Sequence, residues 1–150
     1  MRVETNECAN VEREITAPDD LIQSLHIRFA WRLRILYQGG GTREQAAIVP
    51  AESETEYPEP YRFGDMPAYG FFLRHVNGIE LNNVEVGYMK DDLRPAFVLT
   101  GVTRADFNNV KAQHAEGVPA FILKNVTGFE TWHSRGIPDT RIENIKEKSL

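Results

Sequence analysis

One sequence unit occurs three times in the stretch that begins at Pro67, and this repeat limits the folds that the chain can adopt. Equivalent positions recur at steps of 26 and 24 residues. They are Leu73, Leu99 and Leu123; Val76, Val102 and Val126; and Ile79, Ala105 and Phe129. The pair Asn82-Asn83 returns as Asn108-Asn109, each time followed by valine. Repeats with a period in the twenties are typical of array folds.

The sequence within each copy predicts which type of repeat fold is formed. Each copy opens with Pro-Ala and contains three short apolar segments with turns between them, which is typical of one coil of a parallel β-helix. The leucine-rich consensus is absent, and the prolines and β-branched residues oppose helical repeats. The three leucines are then expected to form an internal ladder. Asn83 and Asn109 are expected to stack at a corner, where asparagine tolerates a left-handed backbone.

The chain of 150 residues is predicted to form a single domain. Residues 1–24 are an N-terminal segment that can cap the stack, residues 25–145 hold the coils, and residues 146–150 are a charged tail. A long loop at residues 38–66 interrupts the coils. Within this loop Thr42 is predicted to be a helix N-cap, with Gln45 completing a capping box.

The segment Leu25–Tyr37 alternates apolar and polar residues and is interpreted as a less regular fourth copy. Its outward arginines can bind an acidic polysaccharide, or they can simply form a solvated strand face. These arginines are Arg28, Arg32 and Arg34.

Composition excludes several classes of function. The net charge of −5 disfavours nucleic acid and anionic membranes as partners. No apolar run approaches the ~20 residues of a membrane span, and the first residues lack an apolar signal core, so the localisation is left open. The single cysteine, Cys8, excludes an internal disulfide, and the scattered histidines predict no metal site. No cofactor is expected.

Five motifs together resemble a known family. They are G-G-G-T-x-E-Q-A-A at Gly39–Ala47, Y-P-E-P-x-x-F-G at Tyr57–Gly64, P-A-Y-G-F-x-x-R-H at Pro67–His75, D-x-R-P-A-F-V-L at Asp92–Leu99 and P-D-T-R-I-E at Pro138–Glu143. The stretch from Ile27 to Leu150 resembles the C-terminal portion of bacterial β-helix glycosidases of the glycoside hydrolase family 28 group, the polygalacturonase and rhamnogalacturonase relatives.

The resemblance implies a fold and a substrate class. The family folds as a right-handed parallel β-helix, hydrolyses pectin-type galacturonides with inversion, and is typically periplasmic or secreted. With the repeats, this predicts an all-β chain folded as a short, single-stranded right-handed parallel β-helix of the pectin lyase type, with about four or five coils.

The resemblance also argues against catalysis. The family's Asn-Thr-Asp, Gly-His-Gly and Arg-Ile-Lys segments are absent from this chain. The pair Asp91-Asp92 lies downstream of the place where the family's acidic pair belongs. His75, Asp91 and Asp92 are nevertheless the candidates for catalytic residues, although Asp92 can instead pair with Arg94 to fix a corner. Inverting hydrolysis needs two carboxyl groups ~6.5–9.5 Å apart.

A row of carboxylates is the other acidic feature. Glu80, Asp106 and Glu130 occupy equivalent positions, one in each copy. Alternate members would lie ~10 Å apart in stacked strands. The same positions are also where period-two alternation requires an outward polar residue.

Residues in and after the long loop are the candidates for contact with a sugar. Aromatic rings can stack on sugar rings, and arginine can bind a uronate carboxylate in a bidentate manner. The predicted substrate-binding residues are Tyr57, Tyr61, Arg62, Phe63, Tyr69 and Arg74. The alternative is a flap that covers an apolar face of the stack.

Two hypotheses for function follow. The first is a non-catalytic module that resembles the C-terminal part of pectin-degrading enzymes and binds pectic oligosaccharides. The alternative is a small glycoside hydrolase that acts on galacturonate or rhamnogalacturonan substrates with residues around Arg74, His75, Asp91 and Asp92. Because the ends of a short stack present open strands, a homo-oligomer is also expected.

Overall fold

The structure is a computed structural model that describes the backbone of residues 2–5 and, with side chains, residues 32–52 and 64–150. The described part consists of strands and one short helix. The elements are β1 (Arg2–Thr5), β2 (Leu33–Gly39), α1 (Arg43–Ala46), β3 (Phe71–Arg74), β4 (Asn77–Asn82), β5 (Val84–Lys90), β6 (Phe97–Thr100), β7 (Thr103–Asn108), β8 (Lys111–Ala112), β9 (Phe121–Trp132) and β10 (Thr140–Ser149).

The strands form two sheets. One sheet has four strands in the order β1-β2-β5-β8, and the other has six, in the order β3-β6-β9-β7-β4 with β10 paired to β9. Strand β9 belongs to two rows, because residues 121–124 pair with β6 and residues 127–132 pair with β7. All pairings between the repeated strands are parallel.

The predicted register of the three copies is confirmed. Leu73 pairs with Leu99, and Leu99 pairs with Leu123. Ile79, Ala105 and Phe129 form a second row of register partners. The side chains of Leu99, Leu123 and Phe129 have no exposed surface, so these rows form the core. The period of the repeat is sufficient to predict these register partners, because stacked copies bring equivalent residues into contact.

Phenylalanine rings fill the centre of the core. The rings of Phe71, Phe97 and Phe121 are stacked in register, with centroid distances of 5.5 and 4.6 Å between neighbours. Phe107 meets the rings of Phe97 and Phe121 edge to face. Offset stacking and edge-to-face contact are the favoured geometries for aromatic pairs. The repeat therefore places rings as well as aliphatic side chains in ladders.

The turns between strands use left-handed backbone at equivalent positions in each copy. Residues with positive φ recur in three columns, which are His75, Gly101 and Asn125; Gly78, Arg104 and Gly128; and Asn83, Asn109 and His133. The predicted asparagine corner is confirmed, because Asn109 Nδ2 donates to Asn83 Oδ1 at 2.8 Å and both residues have positive φ.

The prediction of a right-handed parallel β-helix of four or five coils is wrong. The described strands form two sheets with three parallel copies, and the sheets carry antiparallel strands: β1 on β2 and β10 on β9. The turn between β9 and β10 has only seven residues, 133–139. A parallel return needs a crossover of about a dozen residues or more, so this short turn sends β10 back antiparallel.

Strand β10 is also longer than the sequence predicts. The sequence predicts a charged tail at residues 146–150, but β10 continues to Ser149. Ile142, Ile145 and Leu150 pack against the edge of the core. Their apolar side chains explain why the tail continues the strand.

The region before the repeats is described only in part. Strand β2 ends at Gly39, one residue beyond the predicted start of the long loop at residue 38. The capping box of Thr42 and Gln45 is confirmed at the start of α1. The first seven residues of the predicted alternating segment, 25–31, lie outside the described residues. Arg28 is among them, and Cys8 also lies outside the described residues.

Candidate functional site

A cleft lies on the outer face of the row formed by β3, β6 and the first part of β9. Its floor has an apolar column of register partners, Phe72, Val98 and Ile122. Beside it runs a polar column of Arg74, Thr100 and Lys124. Residues 46–52, from the last residue of α1 onward, form the opposite wall and bring Ile48, Val49, Pro50 and Glu52 to the cleft. We call this feature the outer cleft.

The outer cleft is small. Its volume is about 110 Å³, below the ~300–1,000 Å³ of typical small-molecule pockets. At this volume the cleft can enclose only part of a ligand, and the rest of a longer ligand would lie outside. The cleft therefore suits one unit of a chain better than a whole compact ligand.

Arg74 is the best-fixed side chain in the outer cleft. Only 14% of its side chain is exposed. Its guanidinium donates to the carbonyl of Pro50 at 2.6 Å, lies 3.5 Å from Glu52 Oε1, and covers the ring of Phe72 at 4.9 Å from the centroid. Arg74 thus ties the 46–52 wall to the sheet and keeps a cation at the polar end of the cleft.

His75 and Glu52 form a pair at the rim. His75 Nε2 lies 3.0 Å from Glu52 Oε1, and about half or more of each side chain is exposed. The hydrogen bond to His75 lowers the pKa of Glu52, with help from the charge of Arg74. Glu52 is therefore ionised at neutral pH and is occupied by its two neighbours. It is also the one carboxylate that lines the described part of the cleft.

Asp92 is buried in a structural corner, away from the cleft lining. Its Oδ1 accepts from the backbone N and the Nε of Arg94, and its Oδ2 accepts from Arg94 Nη2 at 2.7 Å and from the Gly41 N–H at 2.9 Å. Burial raises the pKa of Asp92, but these hydrogen bonds together outweigh it and hold the pKa below its usual value. The predicted Asp92–Arg94 pair is confirmed, and both carboxylate oxygens are in use.

The structure does not bring the candidate catalytic residues together. His75 follows β3 and contacts Glu52, whereas Asp91 is exposed beyond β5, where its carbonyl accepts from the Gly40 N–H. Within the described residues, no hydrogen bond or ion pair links His75 to Asp91 or Asp92. These three residues form no common acid–base constellation.

Of the predicted sugar-binding residues, Arg74 lies in the outer cleft and Tyr69 in the core. Tyr69 is 3% exposed, its hydroxyl donates to the carbonyl of Gln113, and its ring meets Tyr37 and Tyr88 edge to face. Burial raises its pKa strongly. Its ring presents no face for stacking. The remaining predicted residues, Tyr57, Tyr61, Arg62 and Phe63, lie outside the described residues.

The carboxylate row forms as predicted, on the outer face of β4, β7 and β9. Glu80, Asp106 and Glu130 are register partners. Asn82 donates to Glu80, and Arg141 and the Trp132 indole bind Glu130. Partial desolvation raises the pKa of Asp106, and the charges of Glu130 and Glu80 add to this. The outer members are thus engaged by local partners, and the row is separate from the outer cleft.

Sequence reasoning missed Thr100 and Lys124 as parts of the cleft. Neither residue belongs to a recognisable motif. The signal that could have found them is the repeat itself, because the steps of 26 and 24 residues align both with Arg74. The short 46–52 wall, in contrast, has no counterpart in the repeat.

The described residues also bear on metal binding and on membrane insertion. No group of three or more His, Cys, Asp or Glu side chains is arranged there to hold a metal ion. The one helix found in the same residues is too short and too polar to cross a membrane.

Comparison with protein-family models, with curated proteins and with solved structures gives no significant match for this chain. The resemblance to the family 28 glycosidases therefore rests on the sequence motifs alone.

Proposed function

We propose that the chain is a non-catalytic binding module for acidic sugars, and that the outer cleft binds one uronate unit of a pectic oligosaccharide. The observation that carries this proposal is the pairing of two columns in the cleft. Phe72, Val98 and Ile122 offer an apolar floor, and Arg74 and Lys124 stand beside it as cations. A uronate sugar has the same division, with an apolar ring face and one carboxylate.

The charges of the cleft favour an acidic ligand over a neutral one. Glu52 is the single carboxylate of the described lining, and it is occupied by Arg74 and His75. Lys124 has no carboxylate within 4 Å among the described residues. Charge-assisted hydrogen bonds are about twice as strong as neutral ones. Lys124 is therefore the residue that would hold the carboxylate, with Arg74 behind it.

The same geometry argues against hydrolysis. An inverting glycosidase needs two carboxyl groups that face one sugar bond, with room for a water between them. The described lining supplies one, and the second candidate, Asp92, is buried against Arg94. The pectic identity of the sugar comes from the resemblance to the family 28 group. The hydrolase alternative predicts that new reducing ends appear.

Calorimetric titration with galacturonate oligomers tests the proposal. Lys124→Gln is expected to weaken binding about tenfold, because a hydrogen bond between charged groups is worth ~1.5 kcal/mol or more. Lys146→Gln removes the same charge from an exposed position on β10 and is the matched control. A neutral galactose oligomer is expected not to bind. Equal affinity in the two variants, or release of reducing ends in a parallel assay, would refute the proposal.

A further inference from the structure

A second, differently built recess lies on the outer face of the four-stranded sheet. Neighbouring strands carry Arg34, Glu85 and Lys111 as register partners, and Arg135 forms the next bridge to Lys111. These side chains line a recess of about 200 Å³ together with Gly87 and Gln113. We call it the basic groove. It shares no residue with the outer cleft.

Positive charge is in excess in the basic groove at the end formed by Lys111 and Arg135. Both Arg32 and Arg34 engage Glu85, the latter at 3.4 Å. The hydrogen bond from Arg32 lowers the pKa of Glu85 against the opposing effect of burial, and the charges of Arg32, Arg34 and Lys111 lower it further. One carboxylate is therefore surrounded by three cations. Lys111 and Arg135 then face each other across a bridge with the same charge. Like charges at directly opposite positions destabilise a sheet.

The floor of the groove carries a hydrogen-bond donor beside these two cations, because the Gln113 amide lies over Gly87. Gly87 has no side chain, and a Cβ there would come within 2.9 Å of Gln113 Oε1. That oxygen already accepts the N–H of Tyr88 at 3.0 Å. The amide is thereby held with its Nε2 hydrogens as the remaining donors of the side chain.

We propose that the basic groove binds a phosphate monoester group between Lys111 and Arg135. Such a group carries close to two negative charges at neutral pH and several acceptor oxygens. One group therefore neutralises both cations and can accept from Gln113, whereas a carboxylate neutralises one. Duplex DNA, with one charge per ~1.7 Å, is a poorer match for this short array, and the net charge of −5 on the chain opposes long polyanions. The proposal is independent of sugar binding in the outer cleft.

Titration monitored by amide NMR shifts tests the site with three probes, methyl phosphate, methyl sulfate and acetate. Methyl phosphate is expected to bind most tightly, with shifts around Gly87 and Gln113. Lys111→Gln and Arg135→Gln are each expected to weaken it roughly tenfold, and Lys148→Gln, an exposed charge on β10, is the matched control. The proposal fails if acetate or methyl sulfate binds as tightly, if no probe gives saturable shifts, or if the control weakens binding equally.

A stability measurement separates binding from a structural role. Without ligand, Arg135→Gln is expected to be at least as stable as the natural chain, since it removes a like charge opposite Lys111. Lys111→Gln removes that repulsion and also the attraction to its register partner Glu85, so its stability is expected to stay close to that of the natural chain. Methyl phosphate is expected to raise the Tm of the natural chain and of Lys148→Gln more than that of the two groove variants. A marked loss of stability in ligand-free Arg135→Gln would show that Arg135 holds the fold, and would overturn the proposal.

Discussion

At the scale of single residues, left-handed backbone decides where the strands turn. Nine residues with positive φ occupy three equivalent columns of the repeat. Glycine and asparagine adopt this conformation readily, whereas other residues lose about 1–2 kcal/mol. Glycine or asparagine occupies six of these positions, and His75, His133 and Arg104 the other three. The positions of the turns therefore follow from residue type as well as from the spacing of the repeat.

Asn109 tests this account, because it combines a positive φ of 50° with a side-chain hydrogen bond to Asn83. Asn109→Gly keeps the backbone conformation and is expected to lose about 0.5–1 kcal/mol for the bond. Asn109→Ala is expected to lose about 1–2 kcal/mol more for the strained backbone. Urea unfolding measures both, with Asn108→Ala as the exposed control. Equal losses in the glycine and alanine variants would contradict the account.

Asp92 provides a pH dependence with a defined sign. Its folded-state pKa lies below its ordinary 3.8, so the folded chain favours the ionised form. The stability from the Asp92–Arg94 pair is therefore fully present above pH 3.8 and is lost as the pH falls through the lower, folded-state pKa.

Asp92→Asn is expected to lose about 3–5 kcal/mol at neutral pH, since it leaves Arg94 largely buried without its partner. The stability of this variant is also expected to fall less steeply in acid. Thermal unfolding followed from neutral to acidic pH checks both, and Asp91→Asn, at an exposed position, is the control. An acid profile identical to that of the natural chain would show that another group sets the acid limit.

At the scale of elements, the repeat predicts pairing partners but not strand direction at the ends. Leucine, valine and asparagine recur with one period, so stacking in register follows from spacing. Alternation in β10 fits parallel and antiparallel pairing equally well, and only the short 133–139 turn selects the latter. Arg74 was predicted as a binding residue from its side chain, but Lys124 joins it only through the register.

Strand β10 closes one edge of the six-stranded sheet, and its apolar residues test that role. Ile145 pairs with Val126 and is half-buried against the core. Ile145→Ala is expected to lower the free energy of unfolding by about 1–2 kcal/mol, less than for a fully buried isoleucine. Lys146→Ala, at an exposed position in the same strand, is expected to stay within about 0.5 kcal/mol of the natural chain. Similar losses in both would mean that β10 packs only loosely.

At the scale of the whole molecule, the two ends of the stack differ. Strand β10 covers the β9 end, whereas β3 and β4 each have one partner strand among the described residues. Phe71, Leu73 and Val76 are only partly buried there, although their equivalents in the next copy are 0–1% exposed. Among the described residues, the unpaired edges of β3 and β4 and these partly buried apolar side chains offer a surface for association.

We therefore expect the chains to associate through the β3 and β4 end. Sedimentation velocity over a range of concentrations should show an oligomer that Leu73→Lys shifts towards monomer. Met89→Lys, which places the same charge at an exposed apolar residue elsewhere, should leave the oligomer intact. A monomer at every concentration would contradict this expectation.

We propose, as above, that the outer cleft binds an acidic sugar and does not cleave it. Amide NMR shifts during titration with a galacturonate trimer test this most directly, because they report the location of binding and the integrity of the ligand in one sample. Binding in the outer cleft should give saturable shifts at Arg74, Thr100 and Lys124, with unchanged amides along Glu80, Asp106 and Glu130 and an intact trimer. Shifts confined to the carboxylate row, or the appearance of shorter sugars, would contradict it.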